Sequence, residues 1–306
     1  MQDKKLDLVM WTKDGAKTLP FVLNQINRVV PEYAVHRRVI IDDGSSDNTE
    51  TIARKSGWSV HMNEGKGISD AANTALGYVE SESFASFEQD VLLSPLWWSK
   101  VPKLLDDPDT AIASGIRLPS QPLPLRKFID AQARDSERRG KKREDGDPFN
   151  FGKTLDNTIY RTEAIRNIGG FPRIPTQVQC MLDNILAKQI HDAGFKWNVY
   201  YDVKSLHIRK NFLDELRHYY WYGESEDFAF SYIKGKYPSI RDRQKLFLQS
   251  FIWGATSALK MNSPQLFYIC PLLQFAELQG LLSDRKTGGS QRALLSMHAN
   301  SCGPRA

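Results

Sequence analysis

Cysteine is scarce: the 306 residues contain only Cys180, Cys270 and Cys302. Three thiols so widely separated form neither a disulfide framework nor a zinc spacing, so a reducing compartment is the expected setting. A strong charge bias is also lacking. The 41 Lys and Arg exceed the 36 Asp and Glu by five. No basic helix or aromatic-basic alternation accompanies that excess, which argues against a nucleic-acid partner. No uninterrupted apolar run reaches the length of a bilayer span. The charged start (Asp3, Lys4, Lys5, Asp7) passes straight into a strand pattern, so no signal peptide is expected. Internal repeats are missing. Gly65-Lys66-Gly67 lacks the spacing and the Ser/Thr of a Walker phosphate loop.

With 41% apolar and 25% charged residues, the composition is that of a globular protein with ample core. The richest signal lies where Arg38-Val39-Ile40-Ile41 runs into Asp42-Asp43-Gly44-Ser45-Ser46-Asp47-Asn48-Thr49. A short β-branched run reads as a buried strand, ending in two carboxylates, a glycine and small hydroxyls. Such an end sets acidic side chains and free amides at the carboxyl edge of a sheet, where open α/β folds bind ligands. A Ser or Asp followed by Glu50 also fits a plain helix cap over 47–56.

Around that junction the chain alternates. A strand is predicted over 6–12, a helix through Leu19, Val22, Ile26 and Val29, a short strand at 58–62, and a helix through Ala71, Ala72 and Leu76. A fourth strand, Phe84–Phe87, ends in Glu88-Gln89-Asp90. Alternation with short loops implies parallel strands and right-handed crossovers, so residues 1–100 read as a nucleotide-binding α/β half. On an extended segment alternate residues share a face, so Glu88 and Asp90 can point at one ion. Hard oxygen ligands of this kind suit Mg2+ or Mn2+ bridging phosphate oxygens.

Taken together these segments resemble the inverting family 2 glycosyltransferases of GT-A fold, over about residues 5–210. Asn63 through Gly67 leading to Ala72-Asn73, Tyr160-Arg161 ahead of Gly169-Gly170-Phe171-Pro172, and Leu182-Asp183-Asn184 followed by Ala193-Gly194-Phe195 all fit in order and spacing. The resemblance implies a Rossmann-like, mainly parallel sheet flanked by helices. It places Thr12 and Asp14 at the first loop, with Asp42 or Asp43 receiving the base or ribose. Lys66, Asn73 and Glu88 also fall on the nucleotide-sugar side. It makes Asp90 the metal ligand and His207 a further metal or pyrophosphate ligand, with Mn2+ or Mg2+ as cofactor. Asp183 takes the place of the general base, although an Asp in a helix's first turn also complements the macrodipole. Two residues depart from the family pattern: Glu88 stands for the first Asp of the metal motif, and Leu182 for the Glu before the base.

The implied activity moves a sugar from a UDP- or GDP-sugar donor to a hydroxyl of a glycan, polysaccharide or lipid-linked acceptor. A catalytically silent nucleotide-sugar-binding or scaffold protein is the alternative. A sugar-1-phosphate nucleotidyltransferase fits less well, because Lys13-Asp14-Gly15 is too poor in glycine for its activating loop. The remaining boundaries are read as an acceptor half over 101–210, an aromatic-rich helical region over 211–282 and a disordered tail over 283–306. Within the acceptor half, Pro119, Pro122 and Pro124 mark an extended segment. A charged, mobile loop is expected near 135–150. Gln274, Glu277 and Gln279 interrupt the last apolar stretch, which leaves two readings for the C-terminal helices. They pack on the catalytic domain, or they lie in a lipid interface. The expected location is accordingly cytoplasmic, with peripheral association at the cytoplasmic face of a membrane under the second reading.

Overall fold

The computed structural model describes residues 5–140, 152–209 and 211–294. In chain order the first elements are β1 (Leu6–Thr12), α1 (Leu19–Val29), β2 (Val35–Asp42), α2 (Thr49–Lys55), β3 (Ser59–Met62), α3 (Gly67–Gly77) and β4 (Ser83–Glu88). Next come β5 (Val91–Leu92), α4 (Trp97–Lys100), β6 (Thr110–Pro119), α5 (Leu123–Gly140), β7 (Thr158–Arg161) and α6 (Thr162–Asn167). The chain closes with α7 (Leu182–Asp192), β8 (Lys196–His207), α8 (Phe212–Lys234), α9 (Ile240–Lys260) and α10 (Leu266–Thr287).

These elements form two compact units. The first comprises Met1–Pro119, Gln132–Arg173 and Leu186–Ile208; the second comprises Ser120–Ala131, Ile174–Ile185 and Arg209–Ala306. The first holds an eight-stranded mixed sheet of order β3-β2-β1-β4-β7-β6-β8-β5. Strands β3, β2, β1 and β4 run parallel, as the alternation predicts. β7 runs antiparallel to β4 and to β6, and the parallel sense returns between β6 and β8. β1 is buried over its whole length, as a central strand covered on both faces must be. Its Asp7 is tolerated there because His36 Nδ1 lies 2.9 Å away and the Glu80 and Ser81 amides donate at 2.7 and 2.9 Å. α1 presents Leu19, Val22, Leu23 and Ile26 to the sheet core that includes Met10, Ile40 and Trp97.

The Gly169-Gly170-Phe171 turn closes over the far side of β4. Phe171 packs edge-on against Trp11, Phe84 and Tyr160. Asn73 on α3 fixes this turn: its Nδ2 donates to Phe171 O at 3.0 Å and its Oδ1 accepts from Phe171 N at 3.0 Å. Gly170 has φ +94°, and a Cβ there would lie 2.5 Å from Asn73 Oδ1, so glycine is required on both counts.

In the second unit α8, α9 and α10 pack together, with a core of Leu125, Leu266, Ile269, Cys270 and Leu273. α8 and α10 cross at glycines. A Cβ on Gly223 would fall 1.9 Å from Glu277 O, and one on Gly280 would fall 2.0 Å from Tyr220 O.

Two expectations are corrected here. The proline segment is not extended beyond β6: α5 starts at Leu123 and runs to Gly140, taking in the first part of the expected loop near 135–150. Proline is tolerated in a first helical turn, where its missing N–H has no partner to lose. The remainder of that loop, 141–151, lies outside the described residues. The tail does not begin at Ser283, since α10 continues to Thr287, Gly288 caps it in the left-handed region, and residues 289–294 are helical. The rest of the expected tail, 295–306, is outside the described residues. α10 also has the length and composition of a membrane-crossing helix, with mean hydropathy 1.3 over its most apolar stretch.

Candidate active site

Parallel register gathers the acidic residues. Trp11 on β1 stands opposite Glu88 on β4, and Thr12 opposite Asp42 on β2. Three strand ends therefore deliver Thr12, Asp42-Asp43 and Glu88-Gln89-Asp90 to one sheet edge, as open parallel sheets do. A cavity of about 250 Å³ opens there, lined by Trp11, Thr12, Lys13, Asp43, Gly67, Ile68, Ala71, Glu88, Gln89 and Asp90.

The two adjacent aspartates have separate tasks. Asp42 is buried and supports the loop: it accepts from the Ser45 N–H at 2.8 Å and from the Thr12 hydroxyl at 3.2 Å. Asp43 faces the cavity. Its Oδ1 accepts from Asn63 Nδ2 at 2.7 Å and from the Gly67 N–H at 3.1 Å, and Lys13 Nζ lies 3.5 Å from its Oδ2. The helix-cap reading is not met: the N-cap of α2 is Asn48, whose side chain makes no capping bond, while Asp47 just before it accepts the Thr49 N–H at 2.9 Å and Glu50 pairs with Arg54.

Around Asp90 the short β5 pairs antiparallel with the end of β8, setting Val91 opposite His207. The Ile208 N–H donates to Asp90 O at 2.7 Å. This brings His207 Nε2 to 3.0 Å from Asp90 Oδ2, with the imidazole almost wholly buried. Glu88, Asp90 and His207 each offer a ligand atom, all within 4.8 Å of one another. Two carboxylates and an imidazole at that separation fit a divalent cation of the Mn2+ and Mg2+ class. Behind them Arg117 Nη1 from β6 lies 3.5 Å from Glu88 Oε2 and 2.6 Å from Asp156 Oδ2. Asp156 is fully buried and also accepts from Asn157 Nδ2 at 2.6 Å.

Other residues named from the sequence lie off the cavity wall. Asp14 is exposed, at φ 48°, and its Oδ1 accepts from the Ser46 N–H at 2.8 Å, joining the first loop to the second. Lys66 is exposed at the start of α3, where its N–H donates to Asp70 Oδ2 at 2.9 Å. Asn73 serves the Phe171 turn. Asp183 is in the second unit, half-buried in the first turn of α7, and its Oδ1 accepts from the Asn184 N–H at 2.8 Å. Arg161 holds backbone, its Nη2 donating to Leu105 O at 2.9 Å.

Three residues of this site went unread in the sequence. Gln89 clamps the first loop: its Oε1 accepts from Lys13 N and its Nε2 donates to Lys13 O, both at 2.9 Å. Lys13 carries no local signal beyond its turn. Arg117 lies far from Glu88 in the sequence, and the β4–β7–β6 pairing makes them neighbours.

Residues 7–169 match the family model described as Glycosyl transferase family 2. The chain matches none of the curated proteins. Among solved structures it is similar to the mannosyltransferase PcManGT from Pyrobaculum calidifontis in complex with GDP-Man and Mn2+. That likeness covers 99% of this chain and 81% of that one at 18% identity and TM-score 0.56. It is also similar to glucosyl-3-phosphoglycerate synthase from Mycobacterium tuberculosis in complex with Mn2+, UDP and phosphoglyceric acid. There the cover is 77% of this chain and 80% of that one, at 15% identity and TM-score 0.54. Such identities establish the fold, which is GT-A with added C-terminal helices.

Proposed function

Since the chain belongs to glycosyl transferase family 2, we propose that it is an inverting, metal-dependent glycosyltransferase that moves a sugar from a nucleotide-sugar donor to an acceptor hydroxyl. The observation that carries this reading is the Glu88, Asp90 and His207 cluster, of which Glu88 and Asp90 line the same cavity as Asp43, with His207 buried against Asp90. Asp43 accepts a hydrogen bond from the base or ribose, and Thr12 lies beside it. A UDP- or GDP-sugar is the donor class we favour, a reading supported by the similar structures named as complexes with GDP-Man and with UDP.

Asp90 and His207 would hold the cation, Mn2+ or Mg2+, with Glu88 completing the acidic side. When bound, the ion offsets the negative charge that gathers on the departing diphosphate. The acceptor hydroxyl attacks the anomeric carbon opposite the leaving group, so one bond forms as the other breaks and the configuration inverts. Asp183 takes the hydroxyl proton, a role worth about 10²–10⁴-fold in rate. Arg117 neutralises part of the Glu88 charge and holds that carboxylate against Asp156. The acceptor class is a glycan or lipid-linked hydroxyl. A cytoplasmic setting, or the cytoplasmic face of a membrane, accords with the free thiols of Cys180 and Cys270.

A second reading, a nucleotide-sugar binder without turnover, draws on the Glu88–Arg117 pair, which leaves Glu88 a weaker ligand than an unpaired aspartate. The test is thermal stability against a panel of nucleoside diphosphates, with and without Mn2+, for wild type and Asp90→Ala. A ligand at about 100 times its Kd adds roughly 2.7 kcal/mol. Metal-dependent stabilisation by one nucleotide, lost in Asp90→Ala, supports the transferase site. No shift with any nucleotide overturns both readings, while stabilisation without donor turnover leaves the silent binder.

A further inference from the structure

We propose that the exposed face of the α9–α10 hairpin docks on the surface of an anionic lipid bilayer. On α9, Leu248, Phe251, Ile252 and Leu259 follow at three-, four- and seven-residue steps, so they share one helical face. They are all exposed, Ile252 at 66% and Leu259 at 85%. On α10, Tyr268, Leu272 and Phe275 form a matching stripe, also exposed. A short turn joins the two helices, and Phe247 lies 5.7 Å from Phe275, so the stripes belong to one antiparallel hairpin. Buried leucines need no explanation in such a hairpin. A continuous run of exposed ones with Trp253, 41% exposed, does.

Charge selects the occupant. Arg241 and Lys245 stand at the start of α9, Lys260 at its end and Lys286 in the last turn of α10, all exposed. Among the described residues none of the four is in an ion pair. The acids of the same helices are mostly turned inward. Glu277 is held against Arg243 and Asp284 is buried, which leaves Asp242 as the exposed carboxylate of α9. An apolar strip with cations at both ends complements anionic headgroups over an acyl boundary. A second copy of the chain fits poorly, because either antiparallel or parallel docking sets cations against cations. The helices lie on the bilayer and do not cross it. Crossing would carry the charged cluster of buried Glu226 with half-buried Glu277 and Arg243 into hydrocarbon.

The inference stands apart from the transferase reading, because binding is scored without donor or metal. The full chain is floated with phosphatidylcholine vesicles and with vesicles that add phosphatidylglycerol. Flotation is expected with the anionic vesicles, weakening as salt rises. Arg241→Glu with Lys245→Glu should reduce it by roughly fivefold per cation. Leu248→Glu with Ile252→Glu should abolish it while far-UV circular dichroism and Tm stay those of wild type. The expected state in solution is a monomer by sedimentation equilibrium. Failure to float with either vesicle overturns the proposal. So does a dimer that Leu248→Glu with Ile252→Glu dissociates, since the face is then a self-interface.

Discussion

Gln89 pairs both ends of its carboxamide with the backbone of Lys13, accepting from the N–H and donating to the C=O at 2.9 Å each. Gln89 stands between Glu88 and Asp90 in the chain and ties the first loop to them. A Cβ on Gly15 would fall 2.3 Å from Gln89 Oε1, so the loop closes on this amide without room to spare. Gln89→Ala removes both bonds at a modest cost in stability, about 1 kcal/mol. The loop bearing Lys13 and Thr12 then has to be ordered by the ligand. Nucleoside diphosphate affinity should fall roughly tenfold, a difference of about 1.4 kcal/mol. Calorimetric titration of wild type and Gln89→Ala checks this; equal affinities would show that the clamp does not reach the donor.

Asp90 and His207 meet through their side chains and through the Ile208 N–H, which donates to Asp90 O. Asp90→Asn and His207→Ala should each weaken Mn2+ binding by at least tenfold in the absence of nucleotide, as read by the paramagnetic signal of free Mn2+. Glu88→Gln should do less, because Arg117 already engages that carboxylate. A larger loss in Glu88→Gln than in His207→Ala would reverse the assigned roles.

The second unit carries a pH dependence of its own. Burial pushes the Glu226 carboxyl from an ordinary 4.5 up to about 7, despite the attraction of Arg243. Arg243 also faces Glu277, whose carboxyl burial raises as well. One cation between a buried acid and a half-buried one favours a proton held on the pair. Glu226 Oε2 is buried with no hydrogen-bond partner, which disfavours the charged form further. A raised carboxyl binds more protons in the native state than in the unfolded one. Its stabilisation is therefore complete below about 4.5 and is lost as pH climbs through about 7. Tm should be lower at pH 8 than at pH 5.5, and Glu226→Gln should flatten that fall. A Tm that rises over the interval contradicts the assignment.

The α8–α10 crossing tolerates no side chain at its contact. Gly223→Ala places a methyl on the Glu277 carbonyl and must push the helices apart, costing about 1–3 kcal/mol. Gly280→Ala should cost as much, by overlap with Tyr220 O. Gly77→Ala on α3, where a Cβ meets nothing within 4 Å, is the control and should not destabilise the protein towards urea.

What the sequence discloses follows from how local each signal is. Asp42-Asp43 is legible because the β-branched run before it and the turn residues after it are contiguous, and period two alone sets Glu88 and Asp90 on one face. The division of labour between Asp42 and Asp43 is not legible, since it depends on Ser45, Asn63 and Gly67 reaching back from loops. α5 is hidden by Pro124, whose usual meaning reverses in a first helical turn, and by Pro122 just ahead of it. Gln89 and Arg117 act across strand pairings that join distant segments, and no window of sequence contains both partners. Asn73, placed by resemblance on the donor side, has both amide groups engaged by Phe171, a contact 98 residues away.

Asp183 offers the sharpest separation of binding from chemistry. Its local bond is modest, an acceptance from the Asn184 N–H at 2.8 Å, and an asparagine in its place keeps an oxygen for that bond. Asp183→Asn should therefore fold with a Tm close to that of wild type. It should keep nucleotide affinity and Mn2+ affinity, because the cavity and the cation cluster contain neither Asp183 nor its neighbours. An amide cannot take a proton at neutral pH, so kcat for transfer should fall by about 10²–10⁴ while the donor KM holds. Asp183→Glu should recover part of the rate, which a purely structural helix-cap role would not produce. Transfer at more than about a tenth of the wild-type rate in Asp183→Asn would exclude a general base at this position.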